Sequence, residues 1–217
     1  MPIVEPVIRP PAEAESFLLQ VTLGCSSNGC TFCGAYLKKP FRVKSDDEIV
    51  RDIEEGGQLW PDTRRVFLLD GDALAMSQAR LLPILKKICQ AFPRLCRISS
   101  YANGYNMTQR SDSELKELYE HKLKLVYIGL ESGSQLLLNQ VRKRATVREM
   151  IRAVQRAAAC QIKSSVIVIL GLGGRRYSQD HVRETIHALN QMQPRYLSFL
   201  TLMLIPRTPL AHEAKEG

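Results

Sequence analysis

Along the chain, short apolar runs rich in branched residues alternate with longer stretches in which apolar residues return every three or four positions. The runs are "SFLLQVTLG" (16–24), "RRVFLLDG" (64–71), "RLCRISSYAN" (94–103), "LKLVYIGLES" (123–132), "SSVIVILGLGG" (164–174) and "RYLSFLTLMLIP" (195–206). Several are nearly continuous in hydrophobicity, as expected of parallel strands covered on both faces. The stretches between them predict five helices. Their apolar faces are Ile49 and Ile53; Leu81, Leu85, Ile88 and Phe92; Leu115 and Leu118; Met150, Val154, Ala157 and Ala158; and Val182, Ile186, Leu189 and Met192. Three starts carry a hydroxyl followed three residues later by a glutamate: Ser45 and Glu48, Ser111 and Glu114, Thr146 and Glu149. That spacing lets each side chain satisfy a free amide at the helix end. Ser77 and Ser178 are expected as plain caps, and Pro83 as a kink or the first turn of the second helix.

Repeated strand and helix with right-handed crossovers predict a parallel α/β sheet. Six strands and five helices fit an open doubly wound sheet or an incomplete barrel, and periodicity does not choose between them. Either way, ligands belong at the carboxyl ends of the strands. Residues 1–15 read as a proline-rich extension and 16–217 as one core domain. The chain stops soon after the sixth strand, which reads as a catalytic core with a short C-terminal region.

Directly after the first strand comes "GCSSNGCTFCGAY", with Cys25, Cys30 and Cys33 at spacing C-x4-C-x2-C. Structural zinc usually takes four ligands in two paired knuckles. Here there is one cluster of three, and the four histidines lie far downstream. A distant fourth ligand could come from Cys89, Cys96 or Cys160, but these three read better as packing residues. An iron–sulfur cubane held by three soft thiolates leaves one iron open for another ligand. The small residues Ser26 to Gly29 allow a tight wrap, with Asn28 and Gly29 expected to supply positive φ.

The three-cysteine loop after the first strand, the aromatic in "CTFC" and the six-strand β/α pattern together resemble the radical S-adenosylmethionine (radical SAM) superfamily over roughly residues 16–206. The commonest family spacing is C-x3-C-x2-C, so this loop is one residue longer. The resemblance implies a partial (β/α)6, TIM-like barrel with parallel strands. It also implies a 4Fe-4S cluster on Cys25, Cys30 and Cys33, with S-adenosylmethionine on the open iron. Reductive cleavage would then give methionine and a 5′-deoxyadenosyl radical that acts on a substrate; the rival readings are an RNA-modifying enzyme of this kind and a non-catalytic iron–sulfur or zinc-binding protein. It places Phe32 beside the adenine, and Gly71 and Asp72 near the methionyl ammonium. Ser100, Glu131 and Ser132 fall where the family binds ribose hydroxyls, and Ile169 and Gly171 where backbone meets adenine. The final "LMLIP" is similar to the segment on the adenine's outer side. The residues alone also support plainer roles: aspartates satisfying loop amides at 70 and 72, and a cap or salt bridge at Glu131.

Composition is that of an ordinary globular chain of 217 residues, 45% hydrophobic and 24% charged. It has no apolar run of membrane-spanning length and no signal-like start, so a cytoplasmic setting is expected. Six cysteines are too few for a disulfide scaffold of this size. The net charge of +8 is compatible with an anionic partner, nucleic acid included, without establishing one. Arg144, Arg148, Arg152 and Arg156 form a helical stripe read as a solvated face, and no RNA-binding motif accompanies it. Lys38, Lys39, Arg42 and Lys44 are expected near the mouth, facing an acidic substrate, a reductase or the cluster. The implied partners are an electron donor such as flavodoxin or ferredoxin and an unspecified substrate, with no membrane.

Overall fold

The computed structural model describes residues 3–216, so Met1, Pro2 and Gly217 of the two expected segments lie outside the described residues. Eight strands occur: β1 (Phe17–Leu19), β2 (Thr22–Leu23), β3 (Arg42–Val43), β4 (Arg65–Leu68), β5 (Arg97–Tyr101), β6 (Leu123–Glu131), β7 (Lys163–Leu170) and β8 (Tyr196–Thr201). The helices are α1 (Asp46–Leu59), α2 (Gln78–Ala91), α3 (Gly104–Thr108), α4 (Asp112–Glu120), α5 (Gln135–Gln140), α6 (Val147–Ala159), α7 (Ser178–Met192) and α8 (Pro209–Glu216).

Six strands form one sheet in the order β1-β4-β5-β6-β7-β8, and every pairing is parallel. A doubly wound sheet reverses its strand order at a switch point. Here each strand is laid beside its predecessor without reversal, which settles the fold as an incomplete, TIM-like barrel. β2 and β3 pair antiparallel, Thr22 with Val43 and Leu23 with Arg42. This small ribbon, not foreseen from the sequence, ties together the two ends of the cysteine loop.

The three capping boxes form as expected. Ser77 caps α2 without a side-chain bond, and Tyr177 rather than Ser178 takes the cap position of α7. Pro83 lies inside α2, not at its start. It faces solvent, where water can reach the carbonyl that its missing N–H leaves free.

The main core lies between the sheet and the helices, around Leu19, Val66, Leu68, Ile98, Val126 and Val166 from the strands and Ile49, Leu85, Leu115 and Val154 from the helices. Each fully buried side chain of this kind contributes roughly 1.5–3 kcal/mol. A second cluster fills the barrel interior with Phe67, Leu69, Leu125 and Tyr127. Phe67 meets Tyr101 and Tyr127 edge-on, at centroid distances of 5.4 and 6.0 Å. Ile3 and Val7, from the segment before β1, pack into this interior cluster.

Several expectations are corrected. β8 does not run covered on both faces: all six residues are exposed, as befits the open edge of the sheet. On α7, Val182 and Ile186 are about half exposed, and the buried face is His181, Thr185, Ala188 and Met192. Of the expected apolar face, Met192 is buried and Leu189 packs against the core, while Val182 and Ile186 turn outward. The arginine stripe of α6 is not uniformly solvated, because Arg156 bonds Asp112 and the carbonyls of Thr108 and Arg110. Arg144 stacks over the Tyr105 ring. Cys160 is buried, but Cys96 is exposed and is not a core residue. Among the described residues, no helix is long and apolar enough to cross a membrane.

Candidate functional site

A cavity of about 660 Å³ opens at the carboxyl ends of the strands. Cys25, Cys30 and Cys33 line it, together with Phe32, Gly71, Glu131 and Ile169. Seven of the eleven site residues named from the sequence thus converge on one space. Asp72, Ser100, Ser132 and Gly171 do not line it.

The cysteine loop is seated by buried polar contacts. Gly24 turns it with φ +70°, and a Cβ there would lie 2.4 Å from the Lys39 carbonyl oxygen. Asn28 and Gly29 do not adopt positive φ, so Gly24 supplies the turn instead. Asp70 Oδ2 accepts from the Gly24 N–H at 3.0 Å and from Gln20 Nε2 at 3.2 Å, and it pairs with Lys39 Nζ at 2.7 Å. Gly71 donates its N–H to the Gly24 carbonyl at 2.9 Å. A Cβ on Gly71 would stand 2.5 Å from the Cys25 Cβ and 2.8 Å from its Sγ. The strand end after β4 therefore lies directly against the first cysteine.

Asp72, fully buried, accepts from Ser26 Oγ at 2.8 Å and from Asn106 Nδ2 at 2.5 Å. It joins the loop to α3 from beneath. Ser100 is also fully buried and donates to the Tyr101 carbonyl at 2.8 Å. Ser132 Oγ bonds His181 Nδ1 at 2.8 Å and accepts from the Ser134 N–H at 3.0 Å. His181 also bonds the Ile169 backbone, and burial holds its pKa below the ordinary histidine value. One neutral imidazole thus ties the turn after β6 to the end of β7. Gly171 is exposed, with φ +88° and Leu202 as its nearest neighbour.

All six cysteines are free. Burial pushes the Cys25 thiol up to about 11 and raises that of Cys30. Among the described residues, no three His, Cys, Asp or Glu side chains converge on a point fit for a single metal ion. Cys25, Cys30 and Cys33 all line the one cavity, each partly exposed to it.

Glu131 sits where the β6–β7 register shifts, with φ 62°. Its Oε1 accepts from Lys143 Nζ at 2.8 Å, and both side chains are largely buried. Burial lowers the Lys143 pKa, but Glu131, Cys30 and Cys25 outweigh it and raise the net value. Lys143 is the functional candidate that the sequence reading passed over. It lies in the basic run "RKR", and only the fold reveals which of those cations turns inward.

The other basic residues after the loop do not form an open rim. Lys39 and Lys44 are buried against Asp70 and Asp52, and Arg42 pairs with Glu48. Lys38 is exposed and, among the described residues, alone of the four makes no ion pair. Leu202, Met203 and Ile205 also line the cavity, Ile205 lying against Gly34 beside Cys33. Phe32 packs beside Val141, Ile169 and Leu172.

A family model described as the Radical SAM superfamily matches residues 19–189. Enzymes of that family use a 4Fe-4S cluster and S-adenosylmethionine. Three solved structures illustrate the likeness in fold. Coproporphyrinogen III oxidase from Escherichia coli superposes with a TM-score of 0.71 at 14% identity, over 91% of this chain and 46% of that one. The methyltransferase TsrM from Kitasatospora setae, with cobalamin and a 4Fe-4S cluster bound, gives 0.73 at 19% over 93% and 39%. Methylornithine synthase gives 0.67 at 13% over 90% and 55%. The chain thus spans about half or less of these enzymes' length. No curated protein matches it.

Proposed function

Given that the chain belongs to the radical SAM superfamily, we propose that Cys25, Cys30 and Cys33 hold a 4Fe-4S cluster with S-adenosylmethionine on its open iron. The observation that carries this reading is three free, unpaired thiols around one cavity that also receives a single buried ammonium, Lys143. When bound, the pair supplies one-electron cleavage of the sulfonium to methionine and a 5′-deoxyadenosyl radical.

The residues present fit these groups. Thiols whose pKa is raised by burial need a cation to become thiolates, and iron provides one. Lys143 balances thiolate charge and faces the methionyl carboxylate, an ion pair strengthened by its buried setting. Gly71, without a side chain, lets the backbone come close enough for its carbonyl to meet the methionyl ammonium. Phe32, Ile169 and Leu202 offer apolar surface for the adenine, and Glu131 accepts from the ribose hydroxyls. Asp72, Ser100, Ser132 and Gly171 act at one remove. Asp72 holds the loop to α3, and Ser132 fixes the backbone next to Glu131. The apolar walls exclude water from the reactive species.

The reductant is a one-electron donor of the flavodoxin or ferredoxin kind, for which a net charge of +8 offers an attractive surface. A cytoplasmic setting suits six free cysteines. The substrate transformation is outside this assignment, since one fold hosts many reactions.

The test is anaerobic reconstitution with iron and sulfide, then dithionite and S-adenosylmethionine, with chromatography for 5′-deoxyadenosine. Product that is lost in the triple Cys25, Cys30, Cys33 to alanine variant supports the reading. Zinc retained in place of iron, with no product, overturns it.

A further inference from the structure

The family match begins at residue 19, yet part of the cavity wall comes from before it. Ile8 lines the cavity, and Ile3 and Val7 pack inside the barrel against the Phe67 and Tyr127 cluster. This strap is fastened at three places. The Gln20 carboxamide accepts from the Val4 N–H at 2.9 Å and donates to the Val4 carbonyl at 3.0 Å. Lys39 Nζ donates to the carbonyls of Val4 and Pro6, at 2.6 and 3.0 Å. At the foot, fully buried Glu13 accepts from Ser16 at 2.5 Å, from Arg97 at 2.9 Å and from the Tyr127 hydroxyl at 2.7 Å. A terminus tied down by buried polar bonds is part of the chamber rather than a frayed end.

Charge is confined to one side of the cavity. Among the described residues its only carboxylate and ammonium, Glu131 and Lys143, neutralise each other beside the cysteines. The remaining wall presents apolar Ile8, Ile167 and Leu200, the phenols of Tyr101 and Tyr127, and polar Asn103 and Thr201, none of them charged. The Tyr127 phenol is committed to Glu13. The Tyr101 hydroxyl has no protein partner among the described residues.

We propose that this wall, closed by the N-terminal strap, is a substrate chamber for an uncharged, largely apolar moiety bearing a hydrogen-bond acceptor for Tyr101. The assignment rests on the radical SAM reading, in which the cluster and S-adenosylmethionine fill the cysteine side. A charged substrate group placed here loses its water without gaining a counter-ion. An apolar group gains by burial.

The experiment compares two dyes with one skeleton, uncharged N-phenyl-1-naphthylamine and anionic 8-anilinonaphthalene-1-sulfonate. Each is titrated by fluorescence into the full chain, before and after reconstitution with S-adenosylmethionine. The neutral dye binds at least tenfold more tightly. Ile8→Lys, at a position 46% exposed and so tolerant of a long polar side chain, shrinks that preference below threefold by giving the anion a partner. Phe199→Ser, on exposed β8 and outside the cavity lining, leaves both affinities unchanged. Equal binding of the two dyes overturns the proposal. So does a preference that responds to Phe199→Ser but not to Ile8→Lys, which puts the dyes on the sheet edge. The same preparations are assayed for 5′-deoxyadenosine. Cleavage without dye preference removes this inference alone, and dye preference without cluster uptake removes the radical reading alone.

Discussion

Gly71→Ala tests the geometry on which the cluster site depends. The added methyl carbon would lie 2.5 Å from Cys25 Cβ and 2.8 Å from its Sγ, whereas carbon atoms pack best at about 3.5–4.0 Å. The shortfall is about 1 Å. Gly71 cannot easily retreat, because its N–H is bonded to the Gly24 carbonyl at 2.9 Å. Relief must come from Cys25, on the loop. Overpacking of this kind costs about 1–3 kcal/mol, which for a chain of this size lowers Tm by roughly 2–12 °C. The greater effect falls on the metal. Ligand distances are held to about 0.2 Å, so a displacement near 1 Å takes one thiolate out of reach. The assay is iron and sulfide per chain after anaerobic reconstitution, with a melt of the metal-free protein alongside. Gly29→Ala is the control: it lies in the same loop, has no positive φ and has no atom within 4 Å of the new carbon. It should load and melt as the parent does. A Gly71→Ala protein with full iron content and an unchanged Tm would refute the claim that the strand end seats Cys25.

Three further predictions follow from neighbouring contacts. Lys143→Met strands the Glu131 carboxylate among thiols, costing about 3–5 kcal/mol in the metal-free protein; Glu131→Gln restores part of the loss, and equal melts for parent and Lys143→Met would count against a stabilising pair. Single alanine replacements at Cys25, Cys30 or Cys33 should abolish cluster assembly, whereas those at Cys89, Cys96 or Cys160 should not; absorbance and iron analysis decide, and full loading of Cys30→Ala would remove that ligand. His181 has a folded pKa below its unfolded value of about 6.5, so below that pH the unfolded chain binds the extra proton and stability falls as pH drops. Melts across pH 7.5 to 5.5 should show this decline, and His181→Asn should flatten it.

The fold was legible wherever pattern is local. Alternation of branched runs with amphipathic stretches marked the six strands, and each hydroxyl–glutamate pair marked a helix start that the structure bears out. Periodicity failed in part on α7, where Val182 and Ile186 face outward although Leu189 and Met192 pack inward, and on β8, where apolar residues lie at an open edge. Both involve surfaces whose covering is not a property of the segment itself. At the site, a dense cysteine loop is a local signal and was read. Lys143 was not, because its partner Glu131 stands twelve positions earlier, with α5 between them. The strap was still harder to see: its fasteners are Gln20, Lys39 and Tyr127, and the last is 114 residues from Glu13. Prolines at the start gave no period to count, and buried polar pairing at such separations leaves none.

The sequential strand order has a consequence for the history of each molecule. Because every strand joins the edge left by the one before it, the sheet can be laid down in the order of synthesis. The three cysteines emerge just after the first strand, and the β8 wall of their cavity is the last piece of the sheet to be made. Throughout that interval the thiols stand in water, without the barrel that later shields them. A cluster on these cysteines would meet its full cavity wall only once β8 has joined the sheet. Until then, the chain's survival depends on a reducing environment rather than on its own architecture.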